Sequence, residues 1–423
     1  MRDMRESGVE WIGSVPVSWQ TLTIGSLFKV RNEKVNDTDY PPLSVTKGGI
    51  VPQMENVAKS DANDNRKMVL TNDFVINSRS DRKQSCGVSP LDGSVSLINT
   101  VLYPAKSAPI VPVYLNYLLK NYGFAEEFYR WGHGIVADLW TTRWQEMKSI
   151  LLPVPPVEEQ QQILDAISEQ TEKVDALIAN VQAQIEKLKA YKQSVITEAV
   201  TKGLDHTVPM KDSGVEWVSQ IPASWEMSRV GLHYTIILGK MLCPSQIDES
   251  YTLEKYYCAA NVHFGEISSD ELKEMWFSPV EKEQYRISVG DMLIVEGGAG
   301  AGGCAIVQQH TDALVQNSVM IVRNRCGTDN RYLRYWIESM VKRGYLDVAC
   351  NKATIPHYTK EKLAKTIIPV LPQEEQVQIA DYLDEKCDQI DRLIAIKQAK
   401  IEKLEQYKRS LIYEYVTGKE EVS

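Results

Sequence analysis

Groups able to hydrogen-bond a base edge or a phosphate gather in a few stretches of this chain. Arg79-Ser80-Asp81-Arg82-Lys83-Gln84-Ser85 is the densest polar-basic run. Arg130-Trp131-Gly132-His133-Gly134 and Trp140-Thr141-Thr142-Arg143-Trp144 follow it. Further along, the run from Asn351 to Lys360 places Lys352, His357, Tyr358 and Lys360 close together, and Lys240 and Gln246 lie in a Gly/Pro-rich stretch. Arg, Lys, Asn and Gln are the side chains that read base edges, and further basic groups hold phosphates. The candidate DNA contacts are therefore Arg79, Arg82, Lys83, Arg130, His133 and Arg143 in the first half. In the second half they are Lys240, Lys352, His357, Tyr358 and Lys360. The plain alternative for each is a solvated loop residue, and for His133 and His357 an ordinary polar surface residue.

Catalytic constellations are missing from the sequence. Adenine methyltransferases hold the target amine with Asn/Asp-Pro-Pro-Tyr/Phe. The nearest string, Tyr40-Pro41-Pro42-Leu43, lacks both the polar acceptor and the stacking ring. The glycine-rich run from Glu296 to Gly303 is not followed by Gly-Lys-Ser/Thr, so it is no P-loop. It reads as a strand-to-strand turn, or more sharply as a place of close backbone approach to DNA. The six histidines show no metal-ligand spacing. Asp384-Glu385 reads as the solvated face of a helix. No catalytic, cofactor or metal residue is assigned.

Bulk properties narrow the class. A chain of 423 residues suggests two or three domains. No run is long and apolar enough to span a membrane, and the charged stretch from Met1 to Glu10 lacks the core of a secretory signal. Seven scattered cysteines without a Cys-x-x-Cys pair suit reduced thiols, hence a cytoplasmic setting. The net charge of −9 argues against a DNA binder until it is divided. Residues 20–150 hold 15 basic and 13 acidic residues, and residues 226–366 hold 16 and 17. The excess acid lies outside these two segments, so basic patches within them remain open.

The elements that must position the candidates come as an internal repeat. SGVEWIGSVPVSW at residues 7–19 returns as SGVEWVSQIPASW at 213–225. LLPVPPVEEQQQI at 151–163 returns as IIPVLPQEEQVQI at 367–379, and the likeness continues to residues 203 and 419. The segments between share only echoes, such as Asp73-Phe74-Val75-Ile76 with Asp291-Met292-Leu293-Ile294 and Tyr114-Leu115 with Tyr332-Leu333. Short apolar runs broken by Gly, Asn and Pro predict strands there. YLNYLLKNYGFAEEFYRW and YLRYWIESMVKRGYLDV predict helices. Each is read as a mixed α/β domain: one fold carrying two surfaces. Trp11, Trp19, Trp217 and Trp225 repeat with the scaffold and read as packing anchors.

Pro153, Pro155 and Pro156 predict that a helix starts after them, with Glu158 and Glu159 in its first turn. Ile167, Val174, Val181, Leu188 and Val195 recur every seventh residue, widened by Leu177, Ile178, Ile185 and Tyr191. Leu383, Ile390, Leu404 and Leu411 keep the phase in the second copy, beside Leu393, Ile394, Ile401 and Tyr407; Lys397 breaks it once. The expectation is a pair of long antiparallel coiled-coil helices, about 60 Å each, with a pseudo-twofold axis. The alternative is a helix that packs only on its own domain. Expected boundaries are 1–152 for the first reader with its opening motif, 153–203 for the first helix and 204–225 for a linker with the repeated motif. The second reader takes 226–368 and the second helix 369–423.

WIGSVPVSW and WVSQIPASW resemble the Trp-x-x-x-(Ile/Val)-Pro-x-x-Trp entry motif of type I restriction-modification DNA-specificity subunits, and PVPPVEEQ and PVLPQEEQ resemble the Pro-x-Pro-x-x-Glu-Gln signature that opens their helices. Leu371 replaces the middle proline in the second copy. The resemblance implies two target-recognition domains, each reading half of a split DNA target. It implies helices that hold them apart and dock two methyltransferase subunits, with restriction subunits completing the complex. S-adenosylmethionine would bind the partner methyltransferase, and this chain would catalyse nothing. Unlike readers on matched scaffolds predict an asymmetric bipartite target. A fused methyltransferase would need a cofactor motif, and an acidic scaffold or DNA mimic would place its acid in the globular segments. If the helices act as a ruler, four residues inserted in each lengthen it by about 6 Å. The spacer of the methylated target should then grow by nearly two base pairs; an unchanged spacer excludes a ruler.

Overall fold

Proline decides where both long helices begin. Pro153 and Pro369 sit in short strands, Leu151–Val154 and Ile367–Val370, that cannot continue as helix. Helices Val157–Lys202 and Gln373–Val416 follow, each with two glutamates in its first turn. There the carboxylates favour the positive end of the helix dipole. The computed structural model describes residues 2–53, 65–79, 82–134, 140–215, 217–325, 327–346 and 357–422. It divides into two compact units, residues 1–182 with 398–423, and residues 183–397. Each long helix thus contributes residues to both units.

In the first unit a four-stranded antiparallel sheet runs Cys86–Val88, Phe74–Asn77, Asn99–Pro104, Phe28–Val30. A three-stranded sheet of Gly93–Val95, Arg66–Val69 and Lys34–Val35 lies beside it in the topology. The second unit repeats the order of the four-stranded sheet but not that of the three-stranded one, where Thr252–Tyr257 is central and pairs parallel with Leu314–Val315. Its four strands are Tyr234–Leu238, Val319–Asn324, Met292–Val295 and Cys304–Ile306. Its three-stranded sheet joins Lys273–Phe277, Thr252–Tyr257 and Leu314–Val315. The mixed α/β reading of both segments therefore holds. One expected helix is two: Pro112–Leu118 ends before Asn121, whose side chain caps Tyr122–Arg130 by accepting from the Phe124 amide at 2.9 Å.

Each reader is tied to helix at two places, and the ties match. In the first unit the buried Gln160 amide donates to the carbonyls of Pro109 (2.7 Å) and Pro155 (2.9 Å) and accepts from the Val111 amide at 2.8 Å. In the second, Gln376 donates to Gly327 (3.2 Å) and Leu371 (2.9 Å) and accepts from Asp329 at 3.0 Å. The second tie is a tyrosine. The buried Tyr114 hydroxyl donates to the Val416 carbonyl at 3.2 Å, and that of Tyr332 donates to Val200 at 3.0 Å. Burial pushes both phenols well above their ordinary range, so they stay donors.

The repeated tryptophans close each core. Trp19 and Trp225 are buried, and Trp11 packs edge-on against Phe124 at 6.0 Å. Trp217 is half-buried against Trp336, ring centroids 4.8 Å apart. Trp225 donates its indole N–H to Glu375 at 3.1 Å. The matching Glu159 of the first unit pairs instead with Arg2, which lies over the Trp19 ring at 5.3 Å.

Along the helices Ile167, Val174, Val181, Ile401 and Leu411 are buried in the first unit, and Ile185, Ile196, Leu383 and Ile390 in the second. Within each unit the two helices run antiparallel. Lys192 meets Asp391 and Lys397 meets Gln184 in the second, and Lys408 meets Asp175 in the first, at 2.6, 2.5 and 2.6 Å. Lys397, which breaks the heptad phase, thus donates across the pair. Leu177, Tyr191, Leu393 and Tyr407 do not widen the buried stripe as expected; all four are exposed.

Gln376→Leu would leave the buried Leu371 carbonyl without its donor and remove the bonds to Gly327 and Asp329. It should destabilise the second unit by about 1–3 kcal/mol, read from urea unfolding. An unchanged midpoint would show that the tie is dispensable.

Candidate nucleic-acid interface

The candidates of the first reader converge on one loop. Strands Phe74–Asn77 and Cys86–Val88 pair antiparallel, and the loop between them carries Arg79, Arg82 and Lys83, all exposed. Arg79 bridges Thr141, and Thr141 also bridges His133. The amide of Thr142 donates to the Ser78 carbonyl at 3.0 Å. Two segments sixty residues apart in sequence, roughly, are thereby held side by side through strand-type pairing. Lys83 lies 4.2 Å from the centre of the Tyr129 ring and pairs with Glu126 at 2.9 Å. Arg130 pairs with Glu10 at 2.8 Å and with Glu127. Arg143 is exposed at the start of the short helix Trp144–Met147, its amide donating to Glu146 at 3.1 Å.

A cleft of about 1590 Å³ opens beside this loop. Lys120, Tyr122, Arg130, Trp140 and Arg409 line it, with the Gly48-Gly49 turn on its rim. Cations interleaved with aromatic faces suit a polyanion with planar bases, although Glu10, Glu126 and Glu127 also face the space.

The second reader is arranged alike but equipped differently. Lys352 lies outside the described residues. His357 is exposed and bridges Gly297 of the glycine-rich run, and Lys360 is exposed at the start of helix Lys360–Lys365. Two expected contacts are corrected. Lys240 is buried, pairs with Glu281 and lies near the rings of Tyr251 and Phe277, at 4.9 and 5.2 Å. Its amine is satisfied inside the protein. Tyr358 is fully buried and shares a hydrogen bond of 2.6 Å with Thr366. A residue type suited to DNA says nothing of burial, which only packing decides.

The glycine-rich run, expected as a turn or as a place of close backbone approach to DNA, supplies the matching loop in this half. Residues 296–303 occupy the place of the basic loop 78–85, between the strand pair that corresponds to Phe74–Asn77 and Cys86–Val88. The Asp73/Asp291 echo held the signal: the two loops begin five residues after it and have equal length. Burial pushes the Glu296 carboxyl above its ordinary range, and the nearby His357 pulls it back down. Among the described residues no group of three or more His, Cys, Asp or Glu could hold a metal, and no helix is long and apolar enough to cross a membrane.

Two copies of a related α/β frame, each fastened to helix by matched ties and bearing unlike loops, define a protein with two recognition units. Comparison with known proteins agrees. Residues 254–406 match the family model of the type I restriction modification DNA specificity domain. A Methanocaldococcus jannaschii protein assigned as the type I restriction enzyme MjaX specificity subunit is 24% identical, over 96% of this chain and 95% of its own length. The MjaVIII specificity subunit of the same organism is 26% identical over 64% of this chain and 62% of its own. Among solved structures, a chain from a study of complex assembly in the type I R-M system superposes with a TM-score of 0.68. It covers 95% of this chain and 98% of its own, at 17% identity. The HsdS subunit of Thermoanaerobacter tengcongensis gives a TM-score of 0.51 at 18% identity, over 96% and 98% of the two chains. The resemblance stated from the motifs is thus matched by the family model over residues 254–406 and by a relative along nearly the whole chain.

Lys240→Met should lower the thermal midpoint, because Glu281 loses its partner, yet leave the salt dependence of DNA binding unchanged. A slope reduced by about one would instead place the amine on a phosphate.

Proposed function

We propose that this chain is the DNA-specificity subunit of a type I restriction-modification complex. It recognises DNA and assembles with methyltransferase and restriction subunits, and it has no catalytic role of its own. The observation that carries this reading is the repeated frame with diverged loops. Arg79, Arg82 and Lys83 stand in one reader where Gly297, Gly300 and Ala301 stand in the other. Unlike readers suit unlike half-sites, hence an asymmetric bipartite target.

The helices supply two equivalent docking places for methyltransferase subunits. Leu177 and Leu393 are 50% and 47% exposed, and Tyr191 and Tyr407 are 57% and 54% exposed. Each pair occupies the same position in the two helix copies. An exposed apolar residue present in both copies of a repeated scaffold suits two copies of one partner. S-adenosylmethionine binds that partner, which transfers the methyl group to adenine. This chain selects the adenine by holding the duplex in register.

The test is methylome sequencing of a host that expresses this chain with its neighbouring methyltransferase subunit, against the methyltransferase alone. A bipartite adenine-methylated motif that appears only with this chain is the expected result. No new motif from an assembled complex would overturn the reading in favour of a scaffold or DNA mimic.

A further inference from the structure

Eight residues separate the paired strands in each reader, 78–85 in the first and 296–303 in the second. Three of their main-chain bonds coincide, whereas the Arg82 amide donates to Arg79 at 3.3 Å only in the first and the Gly302 amide to Val295 at 2.9 Å only in the second. The Ser85 amide donates to the Arg82 carbonyl at 3.0 Å, and that of Gly303 to Gly300 at 2.9 Å. Asn77 donates to Ser85, and Val295 to Gly303, both at 2.9 Å. Thr142 donates to Ser78 at 3.0 Å, and Tyr358 to Glu296 at 2.6 Å. Even the left-handed residue recurs: Gln84 has φ 63° and Gly302 φ 81°. Counted along this shared frame, Arg79 corresponds to Gly297 and Arg82 to Gly300.

The frame explains most of the glycines but not Gly300. A Cβ on Gly302 would meet Val341 at 2.8 Å, and one on Gly303 would meet the Gly300 carbonyl at 2.9 Å. A Cβ on Gly300 would meet only the Val295 side chain at 4.0 Å, and its φ is not in the left-handed region. The first reader places an arginine at the same point of the same loop. Packing therefore leaves room for a side chain where the second reader has none. Ala299 and Gly300 are exposed on the turn closed by the Ala301 amide on the Gly298 carbonyl at 3.1 Å. Among the described residues no acceptor takes the amides of Ala299 and Gly300. His357 stands beside them, across its bridge to Gly297.

We propose that the turn Gly298–Ala301 is the base-reading element of the second reader. It reads DNA through the main-chain amides of Ala299 and Gly300, where the first reader uses the side chains of Arg79 and Arg82. This rests on the specificity-subunit reading above. Missing side chains let the duplex approach the main chain closely. Amides are donors, so they select acceptor edges in the major groove: purine N7, guanine O6 or thymine O4. A side chain at 300 blocks that approach without disturbing the loop.

The experiment uses the full complex of this chain with its methyltransferase subunit and reads the methylome of Gly300→Arg, Ala299→Glu and Arg79→Ala. Thermal unfolding and gel filtration establish assembly. The expected result is that Gly300→Arg and Ala299→Glu lower methylation of the original motif about tenfold or more. Changes in accepted bases should be confined to one half-site, while Arg79→Ala alters the other. Original methylation by Gly300→Arg and Ala299→Glu, or effects of both loops on the same half-site, overturns the proposal. If Gly300→Arg does not assemble, Ala299→Glu decides by the same criteria. A wild-type complex that methylates no bipartite motif overturns the specificity-subunit reading itself, and this proposal with it.

Discussion

A buried glutamine at the head of each long helix is the constraint on which the rest depends. Gln160 and Gln376 each take a carbonyl just after the proline-bearing strand, a carbonyl of the reader and an amide of the reader. A carboxamide is both donor and acceptor in one plane, so it orients the reader against the helix as well as holding it. Removal is costly because the carbonyls of Pro155 and Leu371 are buried and lose their donor. The preceding prolines keep the connecting strand extended, so the glutamine meets the same partners each time.

A second tie, from Tyr114 to Val416 and from Tyr332 to Val200, fastens each reader to the closing end of a helix. Each unit is thus clamped at one helix start and one helix end. With its frame fixed at both, a reader can vary its exposed loop without altering its attachment. The two loops show how far this goes. Three shared bonds hold an arginine-bearing turn in one unit and a glycine-bearing turn in the other. The change from Arg82 to Gly300 falls on a position exposed in both units, where substitution costs little stability.

Several features were legible because they leave a periodic or repeated trace. The prolines, the first-turn glutamates and the seven-residue recurrence of Ile167, Val174 and Val181 announced the helices. The alternation of short apolar runs announced the sheets. Other features left no trace. Lys240 and Arg79 are both basic residues in polar surroundings, yet one is enclosed by Glu281, Tyr251 and Phe277 and the other is exposed. Leu177 and Tyr191 fit the helix stripe by spacing, but a stripe of that width exceeds what one facing helix can cover. The glycine-rich run read as a turn or as a place of close approach to DNA, but its equivalence to the basic loop depends on strand pairing rather than on residue type.

By itself the sequence determined the repeat, the two α/β segments, the helix starts and the family resemblance. Local propensity and covalent order set these, and both are written along the chain. Which cations reach solvent, which glutamine is buried and which two loops share one frame were decided only in three dimensions. Burial and hydrogen-bond partnership belong to residues far apart in sequence. Gln160 meets Pro109, Tyr114 meets Val416 and Gly297 meets His357 only after the strands have paired and the helices have packed.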